Sequence, residues 1–338
     1  MRVLITGGAG FIGSHLTNHH LRLGHSVHVV DDLSTGRTEN LDAFVNNPQF
    51  QFTKADILTW EDINPAVANS DRIYHMAAVV GVRRTLEDPV QVVKINISGT
   101  ERVLRAVNKA DNNPEIIIAS SSESYGFNAN ERFKETDNIN LPGTDRLRWC
   151  YAITKLTDEF LAFAYFKKYD MRVVVVRLFN TIGPRQIGNY GMVVPNFIKQ
   201  AVTNEPITVF SDGTQTRSFC DVRDTIVALD LLAGNSAAWG EVVNVGDDQE
   251  ISVKDLAEMI RERAGSKSHL VFIPYKEAYG EDFTDIRRRR PCLEKLTNLT
   301  GFKHRWELTG TIDDLILRAK AQYGLTTEKM KAAGISYG

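Results

Sequence analysis

Tyr151 and Lys155 stand four residues apart in a segment, Tyr151 to Tyr169, that reads as a helix, so they share one face a turn apart. A lysine cation beside a tyrosine hydroxyl favours the phenolate and brings a base whose ordinary pKa is ~10 toward working pH. Such a pair is common by chance and gains meaning from the other end of the chain. There Thr6-Gly7-Gly8-Ala9-Gly10-Phe11-Ile12-Gly13 sets Gly7, Gly10 and Gly13 in G-x-x-G-x-x-G spacing between a predicted strand and a predicted helix. Gly7 permits the tight turn, Gly10 lets backbone approach a pyrophosphate, and Gly13 allows close packing, while the helix amino terminus adds partial positive charge. Asp31 ends the next apolar run, where a carboxylate accepts from ribose hydroxyls and repels a 2′-phosphate. Dinucleotide binding follows, with NAD favoured over NADP. Asp32 reads as a turn cap and Arg37, after Gly36 in a loop, as solvent-facing.

The elements that must position these groups are short apolar runs alternating with helical patterns: Val3 to Ile5, Val27 to Val30, Phe50 to Phe52, Arg72 to His75 and Ile116 to Ala119. Val173 to Leu178 continues the series after the helix that carries Tyr151 and Lys155. Such alternation implies an α/β fold, a doubly wound parallel Rossmann sheet with right-handed crossovers. Residues 1–180 are expected to form this NAD-binding domain. Residues 181–338 are expected to form mainly a smaller mixed α/β substrate-binding domain, interleaved with the first, with helices near Pro195 to Thr203 and Val222 to Ala233 and a strand at Ile207 to Phe210. The 300–338 tail reads as a surface helix.

Bulk composition narrows the partners. The 338 residues are 43% hydrophobic and 24% charged, ordinary for a globular chain, and the formal net charge of -2 supplies no field to recruit nucleic acid or anionic membrane. No apolar run reaches the ~18 residues of a membrane span, and the chain opens directly on a strand rather than a signal peptide. Cys150, Cys220 and Cys292 are scattered, giving neither a disulfide framework nor a zinc pattern, which fits a reducing cytoplasm. His15 and His19 have i,i+4 spacing without a third ligand beside them, so no metal site is expected.

Taken together, TGGAGFIG, Asp31-Asp32, Ala77-Ala78, Asn96, Ser120 to Gly126, Tyr151/Lys155, Arg177 to Asn180, Gly183-Pro184-Arg185 and Gly213 to Phe219 resemble the extended short-chain dehydrogenases/reductases that epimerise, dehydrate or decarboxylate nucleotide sugars. The likeness runs from Met1 to about Gly301. It implies transfer of a hydride from C4 of the sugar to bound NAD as Tyr151 takes the hydroxyl proton, with Ser121 holding the 4-hydroxyl. Cofactor contacts are expected from Gly7, Gly10, Phe11, Ile12, Gly13, Asp31, Asp56, Ile57, Ala77, Asn96, Tyr151 and Lys155. Substrate contacts are expected from Ser122, Asn180, Arg185, Val209 and Arg217, the last on the diphosphate, where a guanidinium fork suits phosphate oxygens. The family's habit of pairing through helices implies a homodimer, here through Val90 to Lys109 and Tyr151 to Tyr169.

The fate of the ketone turns on neighbouring groups. Dehydratases of the group carry an Asp-Glu pair where this chain has Ser122-Glu123, whereas UDP-glucuronate decarboxylases read Ser/Thr-Ser-Glu, matched by Ser121-Ser122-Glu123, and carry a late arginine matched by Arg289 in Arg289-Arg290-Pro291. A 4-ketone makes the C5 carboxylate a β-keto acid, so carbon dioxide leaves once the enolate is stabilised. Decarboxylation of UDP-glucuronate, with Glu123 and Arg289 as catalytic groups, is the first expectation. Against it stand Val79 to Arg83, which look epimerase-like, and Tyr151-Ala152-Ile153-Thr154-Lys155, which departs from many decarboxylases. A UDP-hexose or UDP-hexuronate 4-epimerase is therefore the alternative, and a non-catalytic NAD-binding sensor the alternative of another class.

Overall fold

The computed structural model describes residues 1–188, 192–279 and 285–325. Its first half runs β1 (Arg2–Thr6), α1 (Phe11–Arg22), β2 (Ser26–Asp31), β3 (Phe50–Lys54), α2 (Ile63–Ala68), β4 (Arg72–His75), α3 (Val82–Glu87), α4 (Pro89–Lys109), β5 (Glu115–Ser121), α5 (Cys150–Tyr169) and β6 (Val173–Leu178). Then follow β7 (Thr181–Ile182), α6 (Val193–Val202), β8 (Ile207–Phe210), β9 (Thr216–Ser218), β10 (Cys220–Asp221), α7 (Val222–Ala233), β11 (Val242–Val245) and β12 (Glu250–Ser252). The remainder is α8 (Val253–Ala264), β13 (Leu270–Ile273), α9 (Tyr275–Tyr279), β14 (Arg288–Arg289), α10 (Glu294–Thr300) and α11 (Leu308–Gln322).

β6, read Val-Val-Val-Val-Arg-Leu, is buried along nearly its whole length, as a strand covered on both faces must be. It lies inside a seven-stranded parallel sheet of order β11-β6-β5-β4-β1-β2-β3. Leu16 and Leu21 of α1, Ile226 and Leu229 of α7 and Leu296 of α10 cover one face. Ile63 and Val67 of α2, Val103 and Leu104 of α4 and Ala162 of α5 cover the other. Strand order reverses between β1 and β4, which opens a crevice at the carboxyl ends of the strands, where Thr6 leads into the glycine loop.

The six strands expected for the sheet fall within β1 to β6, and the one expected at Ile207 to Phe210 is β8. β11 was not foreseen: it brings residues 242–245 back to the sheet as a seventh strand beside β6. Its polar residue, Asn244, breaks the apolar run that would announce a buried strand. Asn244 is buried because its carbonyl accepts from the Tyr125 hydroxyl at 2.7 Å and its amide donates to the Phe133 carbonyl at 2.8 Å.

Above the crevice sits a second core of Phe197 and Ile198 from α6, Leu256 and Ile260 from α8, and Ile312 and Ile316 from α11. The expectation of a surface helix in the tail is thereby corrected: α11 buries Thr311, Ile312 and Ile316 in this unit. Residues 326–338 lie outside the described residues. Among the described residues no helix is long and apolar enough to cross a membrane.

Candidate active site

The glycine loop is shaped by contact on one side and openness on the other. Gly7 has φ +70°, and a Cβ there would stand 2.7 Å from the Ala77 backbone nitrogen; one on Gly13 would stand 2.2 Å from the Gly7 carbonyl. A Cβ on Gly10 would meet only the Gly7 carbonyl, at 3.2 Å, and otherwise enter open space. α1 starts at Gly10 with no side-chain cap, so its first turn, Phe11, Ile12 and Gly13, presents backbone to a cavity of about 720 Å³. Asp31, Asp56, Ile57 and Ala77 line the same end. Asp31 accepts from the Ala9 amide at 3.0 Å and the Leu33 amide at 2.8 Å, which aims its carboxylate along the loop. Burial raises its carboxyl pKa and these backbone bonds oppose the rise. Asp32 accepts from the Ser34 amide at 2.8 Å, a turn cap, and Arg37 is exposed. An uncapped helix start, an open glycine and a buried carboxylate fit the diphosphate and ribose of NAD.

At the cavity's other end stand Ser121, Ser122, Glu123, Tyr151, Lys155, Asn180, Arg217 and Arg289. β5 delivers the serines as it ends, α5 delivers Tyr151 and Lys155 from one face, and β14 brings Arg289 back across the cavity. Arg289 Nη1 lies 3.4 Å from Glu123 Oε1, and Nη2 donates to Asn180 Oδ1 at 2.6 Å. Burial and the Glu123 carboxylate raise the Tyr151 phenol above its ordinary pKa, while Ser121 and Arg289 pull it down. Lys155 Nζ donates to Asp158 Oδ2 at 3.2 Å, both side chains buried.

A charged chain continues from Glu123. Arg148 Nη1 is 3.6 Å from Glu123 Oε2 and its Nη2 is 3.4 Å from Asp285 Oδ1. Asp285 in turn accepts from Arg217 at 2.7 Å and from the Tyr275 hydroxyl at 3.0 Å. Burial pushes the Asp285 carboxyl up, but Arg217, Arg148 and Arg289 together hold it below its ordinary value. Arg148, Asp158, Asp285 and Tyr275 were missed by the sequence reading. Spacing alone would have raised Arg148 and Asp158, each three residues along from Tyr151 or Lys155; nothing local marks Asp285.

Three expected site residues are elsewhere. Asn96 does not line the cavity: its carboxamide is consumed by the Val79 amide at 2.7 Å, the Val79 carbonyl and the Thr154 hydroxyl, tying the loop after β4 to α5. Arg185, at φ +69°, turns away from the cavity and donates to the Ser14 carbonyl at 3.1 Å on α1. Val209 is fully buried in the second core, while Thr208 and Phe210 line the cavity, because side chains alternate along β8. Away from the site, His15 bonds the Pro184 carbonyl at 2.9 Å, and His19 reaches Asp230 on α7 at 3.1 Å, a carboxylate invisible to local spacing. Asp230 is already met by Arg72 at 2.8 Å, so this cluster closes a polar network at the amino ends of the strands, opposite the crevice.

The profile of the NAD dependent epimerase/dehydratase family matches residues 3–246. A UDP-N-acetyl-alpha-D-glucosaminuronate decarboxylase of Bacillus cytotoxicus is 34% identical over 302 residues, covering 89% of this chain and 92% of its own. UDP-glucuronic acid decarboxylase 1 of Danio rerio is 34% identical over 306 residues, covering 89% of this chain and 68% of its own. The crystal structure of UDP-glucuronic acid 4-epimerase from Bacillus cereus, in complex with UDP-glucuronic acid and NAD, is 28% identical with a TM-score of 0.85, covering 96% of this chain and 100% of that one.

Proposed function

From the premise that the chain belongs to the NAD dependent epimerase/dehydratase family, we propose that it decarboxylates UDP-glucuronate through a transient 4-ketone. The observation that carries this reading is the Arg289–Glu123 contact in the wall that also presents Ser121 and Tyr151. NAD, when bound along the glycine loop, supplies the acceptor and later the donor of the C4 hydride. Ser121 holds the 4-hydroxyl and Tyr151 takes its proton, which the Lys155 cation one turn on favours. With the ketone formed, the C5–C6 bond breaks, carbon dioxide leaves, and the electron pair passes to the C4 oxygen as an enolate facing Tyr151. Arg289, kept in place by Glu123 and Asn180, offsets negative charge there and directs a proton to C5 through water. Arg217 receives the diphosphate, exchanging part of its contact with Asp285 for phosphate oxygens.

Likeness to the Bacillus cereus enzyme supports a second reading, 4-epimerisation of the same substrate. Pure protein is to be incubated with UDP-glucuronate without added NAD and the product read by mass spectrometry and proton NMR. A product lighter by one carbon dioxide is expected; unchanged mass with an altered H4 coupling would mean epimerisation and sink the decarboxylase reading.

Two further features belong to this reading. α4 and α5 pack side by side and leave Val90 and Phe160 exposed by 73% and 76%, with Val93 and Ile153 also exposed, an apolar face suited to a second copy of the chain. The cysteines are free, which supports a reducing compartment, the cytoplasm.

A further inference from the structure

Lys155 is not held by the cavity alone. Its ammonium and the Asp158 carboxylate are 3% and 0% exposed, so the pair is sealed beneath the site. Asp158 also meets the Thr100 hydroxyl from α4. That hydroxyl lies 3.1 Å from His75 Nε2 on β4, and His75 Nδ1 lies 2.7 Å from Thr6 Oγ1, the last residue of β1. A buried polar chain therefore joins the start of the glycine loop to Lys155. Burying an ion pair costs desolvation, and apolar residues would fill the same space at least as stably, so the pair calls for a use other than stability.

We propose that Asp158 is a positioning residue for the reaction: it fixes the Lys155 ammonium one turn from Tyr151 and cancels part of the positive charge that Tyr151 feels. The proposal rests on Tyr151 being the base of the proposed function. The groups facing this assembly are Asp158 and Glu159 on α5, His75 on β4, Thr100 on α4, Ser121 at the end of β5, Glu123 after it, and Arg289 on β14. His75 stays neutral, its pKa lowered to about 3 by burial and then by Lys155. Asp158 is thus the carboxylate in direct contact with the lysine.

The test is Asp158→Asn in the full chain, read in two ways. With turnover, kcat is expected to fall about tenfold with KM within about twofold, and the acid limb of the pH–rate profile to move to lower pH, since removing a negative charge makes Tyr151 easier to ionise. Without turnover, spectrophotometric titration of the Tyr151 phenol, read as the difference from Tyr151→Phe in each background, is expected to move to lower pH in the variant, because Asp158 is one of the charges that hold the phenol protonated. A lowered melting temperature with wild-type kcat, pH limb and phenol titration would overturn the proposal and leave Asp158 a structural residue. An inert wild type with a phenol titration lowered in the variant would instead overturn the proposed reaction alone. Should Asp158→Asn not fold, Asp158→Glu keeps the charge but displaces it. Loss of kcat is then expected, and full kcat overturns the proposal.

Discussion

Around Tyr151 the balance of charges favours the protonated phenol, burial and Glu123 outweighing Ser121 and Arg289. Glu123 therefore does more than touch the substrate end: it sets how readily the base forms and how firmly Arg289 is held. Glu123→Gln removes the carboxylate at constant shape. For a decarboxylase the expected result is a fall of about 100-fold in kcat for carbon dioxide release, with KM changed less than about threefold. A wild-type rate of release from this variant would take Glu123 out of the chemistry.

Among the elements, α5 has the most to do. Its inward face carries Tyr151, Lys155, Asp158 and Glu159, and Glu159 accepts from Arg177 of β6 at 2.9 and 2.7 Å, which locks the helix to the sheet. Its outward face carries Ile153 and Phe160, continuous with Val90 and Val93 of the neighbouring α4. This exposed apolar strip is where the proposed second copy would pack, four helices together. Phe160→Glu places a charge in the middle of that face. Light scattering is expected to show a dimer for the wild type and a monomer for the variant; a wild-type monomer removes the interface.

For the molecule as a whole, several histidines are enclosed where burial opposes their protonation. Burial lowers the pKa of His20 and His75 to about 3 and that of His15 to about 4, against an ordinary 6.5. The unfolded chain binds protons below pH 6.5 and the folded chain does not, so the stability these groups contribute is complete above 6.5 and falls as pH drops toward the folded values. For His20 and His75, which are essentially unexposed, this amounts to about 2 kcal/mol each by pH 5. A urea midpoint that is lower at pH 5 than at pH 7 is expected, and one that does not move would mean these rings take up protons without unfolding.

By itself the sequence determined what depends on spacing along one element: the glycine loop, Asp31 at a strand end, Tyr151 and Lys155 on one helix face, and the six apolar runs of the sheet. These are periods of two or 3.6 residues and need no knowledge of neighbours. Only the tertiary structure decided which side chains meet across the chain. Arg148 reaches Asp285 over a separation of 137 residues, and Arg289 reaches Glu123 over 166, pairings that no local pattern encodes. Where an expected side chain does not line the cavity, the cause is direction rather than position. A left-handed backbone turned Arg185 toward α1, strand parity put Val209 in the core between two cavity-lining neighbours, and Asn96 was drawn into holding a loop. A side chain's direction is set by the backbone angle at its own residue and by whatever packs against it, and the latter comes from parts of the chain remote in sequence.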